Sequence, residues 1–208
     1  MNATVSLGDR RVRSGLLATL AAWFVLIVTI AVAGGFDRQE RGPLPIGIAA
    51  LVPIVAFALL YNASSRVREF LLRLDRRALT LAQSFRVLGI VFVLLYLRGL
   101  LPASFALPAG LGDIFIGITA PFVARMAHAR STRGRGIFIA WNLLGLLDLV
   151  TAVTMGVLNS AGPLGILAGS VNTRIMGTFP LTMIPTFFVP LLAVLHLIVL
   201  AQVRQRDE

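Results

Sequence analysis

Residues 136–158 read GIFIAWNLLGLLDLVTAVTMGVL, and Asp148 is the single ionisable side chain among them. Residues 105–124 read FALPAGLGDIFIGITAPFVA, and there Asp113 stands alone in the same way. At about 1.5 Å of rise per residue, helices of this length cover the roughly 30 Å of hydrocarbon in a bilayer. An isolated charge in hydrocarbon costs several kcal/mol, so a carboxylate held there faces a partner or a watery cavity. The two stretches therefore decide the fold and point to the site together.

Four further segments have the same length and apolar character, which predicts six spans at about 14–35, 43–62, 79–101, 106–127, 136–158 and 179–203. The expected fold is an all-α integral membrane protein, one membrane domain over residues 1–208. Composition agrees: 57% of residues are hydrophobic, 13% are charged and the mean hydropathy is +0.88, whereas soluble domains carry about 25% charged residues. Arg10, Arg11 and Arg13 precede the first span, and Ala31-Val32-Ala33 resembles a leader-peptidase site. The apolar run before it is too long for a signal-peptide core, so it is read as a span. Cysteine is absent, which excludes disulfides and thiolate metal sites.

The net charge of +10 comes from arginine without lysine. The arginines cluster in the N-terminus, residues 63–78, residues 125–135 and the tail at Arg204 and Arg206. The alternate connections hold only Arg38, Arg41 and Arg174, with Arg98 near a span end. The positive-inside rule then predicts a bacterial-type inner (plasma) membrane protein with both termini cytoplasmic. The same distribution argues against nucleic acid and for anionic lipid as the partner of the basic loops. Within residues 65–78, Val67, Phe70, Leu71 and Leu74 recur at helical spacing among arginines, predicting a cytoplasmic interfacial helix; a basic partner-binding helix is the alternative. The outer connection 159–178 is Gly-rich and weakly charged, and reads either as a segment folded back against the membrane or as a plain surface loop. LVPIVA at 51–56 echoes FVPLLA at 188–193, a similarity that apolar sequences also reach by chance.

Orientation assigns depths. Asp113 falls roughly 10 Å below the outer face, Asp148 roughly 15 Å and Arg98 about 5 Å, so an outer-half Arg98–Asp113–Asp148 cluster is geometrically open, with Arg98 as counter-ion. Gly110, Asp113 and Gly117 share one helical face, and Asn142, Gly145, Asp148 and Ala152 share another; small residues there permit close helix approach. An inner layer holds Gln83, Arg86, Asn142 and His196. His196 is a relay candidate, or a hydrogen-bonded structural histidine; Arg86 has the alternative of reaching the inner headgroups. In the sixth span Pro180, Pro185 and Pro190 recur with Thr182 and Thr186 between them. Pro180 suits a first helical turn, while Pro185 and Pro190 free carbonyls that the threonines or a cavity must satisfy. That pattern is either a plain kink or a distorted, gate-like half-helix.

No Walker A loop, G-x-S-x-G, H-E-x-x-H or Cys/His spacing occurs. With His128 in a basic loop, His196 is the one intramembrane imidazole, so no metal, haem or other cofactor is expected. The first functional reading is a small permease or ion- or proton-coupled transporter rather than an enzyme. In it Asp113 and Asp148 bind the cation or coupling proton and Arg98 balances charge or holds an anionic group. His196 and Asn142 relay, Thr182, Thr186 and Pro185 gate, and a homodimer completes the pathway; the solute stays unidentified. One alternative is an intramembrane enzyme acting on lipid or isoprenoid with the aspartates as acid and base. Another is a non-catalytic partner or sensor subunit. Against the first two stands a structural role in which each aspartate only staples helices, the role that the third reading itself assigns them.

Overall fold

The computed structural model describes residues 7–37, 42–129 and 131–205, with side chains from Arg10 onward; Arg38, Arg41, Arg130 and Arg206 lie outside the described residues. The described chain is all-helical: α1 (Leu7–Val32), α2 (Leu44–Ala63), α3 (Ser65–Leu72), α4 (Arg76–Ala82), α5 (Ile90–Leu97), α6 (Ala103–Ala124), α7 (Thr132–Leu158) and α8 (Val189–Arg204). Six helical stretches are long and apolar enough to cross a membrane: Arg10–Val32, Leu44–Ala63, Arg76–Leu97, Ala103–Ala124, Thr132–Leu158 and Ile184–Arg204. They connect alternately at an arginine-rich end and an arginine-poor end of the bundle.

The third of these stretches is not a continuous α-helix. Between α4 and α5, residues Gln83–Gly89 wind as a 3-10 helix. A 3-10 helix has 3.0 residues per turn, so positions three apart eclipse one another on one face. Thr80, Gln83, Arg86, Gly89 and Phe92 recur at that interval and all are buried, while Phe85 and Leu88 point outward and are exposed. The buried stripe lies on α6, where Gly110 and Gly117 leave room for backbone. A Cβ on Gly117 would stand 2.5 Å from the Val87 nitrogen, and one on Gly110 would stand 3.0 Å from the Gly89 carbonyl oxygen.

The sixth stretch is also irregular. Residues Ile184–Phe188 form a π turn in which the Val189 N–H donates to the Ile184 carbonyl, five residues back. Pro180 belongs to the turn before this helix rather than to its first turn, and follows a cis peptide bond. The Thr186 hydroxyl donates to the Thr182 carbonyl at 2.7 Å, which also accepts the Thr186 N–H at 3.2 Å, so this hydroxyl does not serve a carbonyl that proline frees; the Leu181 carbonyl, four residues before Pro185, accepts from the Ile184 N–H at 3.0 Å.

Three apolar cores hold the bundle. One lies toward the arginine-rich end between α6, α7 and α8 (Ile116, Ala120, Val123, Phe138, Trp141, Val199 and neighbours). A second lies toward the arginine-poor end around Phe92, Leu101, Phe105 and Met176. The third joins α1 to the sixth stretch through Ile27, Ala31, Met183 and Phe187. Helices α1 and α2 bury little of their surface, leaving side chains such as Leu26, Leu51 and Leu59 exposed.

The short amphipathic helix ends at Leu72, before the 65–78 segment is complete. Asp75 caps a new helix by accepting from the Arg77 N–H at 2.9 Å, so Arg76 and Arg77 open the third stretch instead. Arg76 is buried and donates to the Ala127 carbonyl (3.0 Å) and the Gln202 carbonyl (2.8 Å). It thereby sits against the C-terminal ends of α6 and α8, where a cation complements the helix dipole. The 159–178 segment matches neither expectation alone: Ile166 is exposed, but Thr173, Met176 and Gly177 are buried, seating its second half in the arginine-poor end of the bundle.

Gly117→Ala is expected to destabilise the protein by about 1–3 kcal/mol, because the methyl group meets unyielding backbone. Gly15→Ala, with no atom within 4 Å of the added carbon, is expected to be neutral or to stabilise by up to about 1 kcal/mol. Titration of helicity with a denaturing detergent measures both.

Candidate functional site

The isolated aspartates of α6 and α7 meet, and the residue that joins them is Arg86. Its Nε donates to Asp113 Oδ1 at 2.7 Å, its Nη2 pairs with Asp148 Oδ2, and its Nη1 donates to the Gly145 carbonyl at 3.1 Å. The same Nη1 lies 3.4 Å from His196 Nε2. A guanidinium offers five N–H donors in a planar fork, and here that fork gathers α6, α7 and α8 onto the 3-10 segment.

His196 is oriented from its other side. Its Nδ1 lies 2.9 Å from Asn142 Oδ1, while Asn142 Nδ2 donates to the Phe138 carbonyl at 2.8 Å. With the amide nitrogen committed to a carbonyl, Asn142 Oδ1 accepts and His196 Nδ1 donates. That tautomer leaves the Nε2 lone pair for Arg86. The hydrogen bonds thus diverge from Arg86, which donates to the carboxylates on one side and, on the other, to His196, which donates in turn to Asn142.

Glycines make the convergence possible. A Cβ on Gly89 would strike Asp113, one on Gly112 the Asp148 carboxylate, and one on Gly145 the His196 ring. Each charged or polar side chain is therefore seated in a gap left by a glycine on the neighbouring helix. Glycine in a helix interior costs up to about 1 kcal/mol relative to alanine, so these positions weaken the isolated helices in exchange for space.

The depths coincide. Asp113 is ten residues from Ala103 and Asp148 ten residues from Leu158, each about 15 Å from the arginine-poor end. Arg86 is eleven residues from Leu97, or roughly 18 Å once the greater 3-10 rise is included. The two layers read from the sequence are therefore one. Arg98 does not serve as the counter-ion: it is exposed at the C-terminal cap of α5, and both aspartates pair with Arg86 instead. Arg86 accordingly does not reach toward headgroups.

Charge is distributed unevenly over the surface of the cluster. The Arg86 side chain has 0% exposure, whereas Asp113 retains 13% and Asp148 11%. Asp113 lies at the floor of a cavity of about 120 Å³ that extends to the loops of the arginine-poor end. The walls are largely apolar, including Phe92, Phe105, Ala152, Ile184 and Pro185. Over the cavity, Arg174 Nε pairs with Asp37 Oδ1 at 3.3 Å, joining the α1–α2 connection to the 159–178 segment. On the opposite side of the cluster, toward the arginine-rich end, Ile116, Phe138, Trp141 and Val199 pack together between α6, α7 and α8, and a second cavity of about 230 Å³, lined by Arg76, Ala127, Arg135, Phe138 and Val203 and by neither aspartate, lies at that end. Pro185 therefore borders the cavity. Thr186 in the π turn and Thr182 in the turn before it are buried and do not line it, and the Thr182 hydroxyl has no hydrogen-bond partner among the described residues.

Gln83, on the same 3-10 face as Arg86, donates through Nε2 to the Leu192 carbonyl at 3.1 Å. Its Oε1 is buried without a partner among the described residues. Among the described residues no group of three or more His, Asp or Glu side chains is placed to hold a metal ion.

Residues 43–204 match the family described as Domain of unknown function (DUF8737), and the chain belongs to that family. The match contains Asn142, His196, Arg86 and both aspartates, and begins after α1. No curated protein matches the chain, and no solved structure does.

Arg86→Met is expected to cost about 3–5 kcal/mol, because it strands two carboxylates in a buried site. Adding Asp113→Asn and Asp148→Asn to it is expected to restore most of that loss. Arg98→Ala should stay within about 0.5 kcal/mol of the parent protein. Unfolding in denaturing detergent checks the series, and equal sensitivity at positions 86 and 98 would contradict the assignment of the counter-ion.

Proposed function

We propose that the protein is a small permease driven by protons or another cation, working through the Arg86–Asp113–Asp148 centre. The observation that carries this reading is a fully enclosed guanidinium shared by two carboxylates at mid-depth, with one of those carboxylates at the floor of a cavity. With both aspartates ionised, one arginine leaves the centre with a net charge of −1. A proton or a cation on the carboxylates neutralises it, and in low dielectric such neutralisation shifts the balance among the ion pairs strongly.

In this mechanism a cation arriving through the cavity competes with Arg86 for Asp113. The guanidinium then turns toward Asp148, the Gly145 carbonyl and His196, and the neighbouring helices follow. Two irregular elements are suited to absorb that movement: the 3-10 segment that carries Arg86 and the π turn that borders the cavity. Such segments interrupt the regular hydrogen-bond ladder and recur at hinges and functional sites. The packed α6–α7–α8 core serves as the closed gate on the other side, so the conformation corresponds to one face of an alternating-access cycle.

The arginine distribution supports placing the arginine-rich end in the cytoplasm of a plasma membrane, with both termini inside and the cavity reaching the exterior. Helix α3 then lies in the cytoplasmic headgroup layer against anionic lipid, and a second copy of the chain completes the transport unit. The enzymatic alternative is less well supported, because an acid–base pair needs at least one carboxylate to meet substrate without a competing guanidinium.

Purified protein in liposomes with an imposed pH gradient is expected to move protons, read by an entrapped pH-sensitive dye. Asp113→Asn and Asp148→Asn should each lower the rate about tenfold or more, while still eluting as folded protein. Undiminished flux in both variants would defeat the mechanism. Absence of flux from the parent protein, with its stability falling in the variants, would leave the aspartates as staples of the helix bundle.

A further inference from the structure

The cavity above Asp113 is more specific in shape and polarity than a route for protons alone requires. Its volume is about 120 Å³, several times the roughly 30 Å³ that one water occupies in the liquid and somewhat less than the 150 Å³ or so of an apolar cavity that holds benzene. Aromatic and aliphatic side chains make most of its wall, and Asp113 is the charged group at its inner end. The guanidinium of the centre itself, Arg86, is wholly enclosed behind the carboxylates, and the other guanidinium on the lining, Arg174, lies at the outer end paired with Asp37. An occupant at the inner end therefore meets carboxylate and apolar surface, and is shielded from the positive charge.

We propose that the cavity binds a small organic cation, an ammonium group on a compact hydrocarbon body. The ammonium would face Asp113, and the hydrocarbon would lie between α2 and α7. This assignment rests on the permease reading and names the class of its substrate. An inorganic cation would leave the apolar walls unused and would carry its hydration shell into them. An anion would meet Asp113 with its own charge. A neutral amphiphile would leave the centre at its net charge of −1. A primary ammonium satisfies both features: its three N–H donors suit carboxylate oxygens, and its alkyl part removes apolar surface from water.

The two walls differ in how much room they leave. Gly47 on α2 lines the cavity, and a Cβ built there meets no atom within 4 Å. Gly156 on α7 also lines it, with the Phe105 ring 3.6 Å from an added Cβ. Gly47→Leu thus fills the space meant for the hydrocarbon body without touching the Arg86 centre. It also replaces a helical glycine by a better helix former, so the variant is expected to fold.

The test is equilibrium binding to the full-length protein in lipid nanodiscs, by calorimetry and by thermal shift, with n-butylammonium, n-butanol and butanoate as probes. Butylammonium is expected to bind and to raise the unfolding temperature, as any ligand selective for the folded state does; butanol and butanoate are expected to do neither. Gly47→Leu should weaken butylammonium binding about tenfold or more. Asp113→Asn should weaken it comparably. Binding of butanoate or butanol as tight as that of butylammonium would overturn the assignment. So would butylammonium binding unchanged in Gly47→Leu, or no butylammonium binding at all. Proton flux is a separate readout: flux without butylammonium binding rejects this substrate class and leaves the permease reading standing. Binding without flux keeps the site and rejects transport.

Discussion

One guanidinium held between two carboxylates at the middle of an apolar bundle is the interaction on which the rest of the structure depends. Removing such ions from water costs several kcal/mol for each, even after relaxation, and their mutual attraction offsets the cost only when the geometry is good and the remaining donors are satisfied. Arg86 meets that condition through Asp113, Asp148, the Gly145 carbonyl and His196. Much of the local structure follows as a consequence. The 3-10 winding of Gln83–Gly89 aligns Arg86 with the other buried residues of its stretch. Glycines at 89, 112 and 145 vacate the volume that the charged and polar side chains occupy.

The same arrangement makes the molecule asymmetric along its length. Toward the arginine-poor end a cavity reaches Asp113; toward the arginine-rich end Ile116, Phe138, Trp141 and Val199 pack together. A centre that only stapled helices would gain nothing from a cavity beside it, since water there competes with the ion pairs. Partial exposure of both aspartates, set against the complete enclosure of Arg86, is the feature a cation-binding role uses. The ion pair of Asp37 with Arg174 and the π turn border the same cavity.

Much of this was legible in the chain. Six apolar stretches, the two lone aspartates and the small-residue faces around them are visible in residues 105–124 and 136–158, because burial in an apolar bundle imposes a strict composition. The partner of the aspartates is less legible. Depth estimates that assume an α-helix beginning near residue 79 put Arg86 in a separate inner layer and made Arg98 the nearer cation. The signal that would have corrected this is the interval of three linking Thr80, Gln83, Arg86 and Gly89, which fits a 3-10 winding better than the 3.6 period of an α-helix. The start of that stretch at Arg76 depends on the Asp75 cap, a local signal easily lost among arginines. The roof formed by Thr173–Gly177 was not readable, because it arises from tertiary seating of a segment with little periodicity of its own.

A guanidinium shared between Asp113 and Asp148 is open to direct distance measurement in lipid bilayers. Solid-state NMR of protein carrying ¹⁵N-labelled arginine guanidinium groups and ¹³C-labelled aspartate carboxyls reports which carboxyls lie within about 4 Å of a guanidinium, the range of an ion pair. Comparison with Arg86→Lys isolates the contribution of that one residue. Two aspartate carboxyl signals, those of Asp113 and Asp148, are expected to lose their dephasing together in the variant. Loss at only one of them, or at neither, would contradict a guanidinium shared between the two.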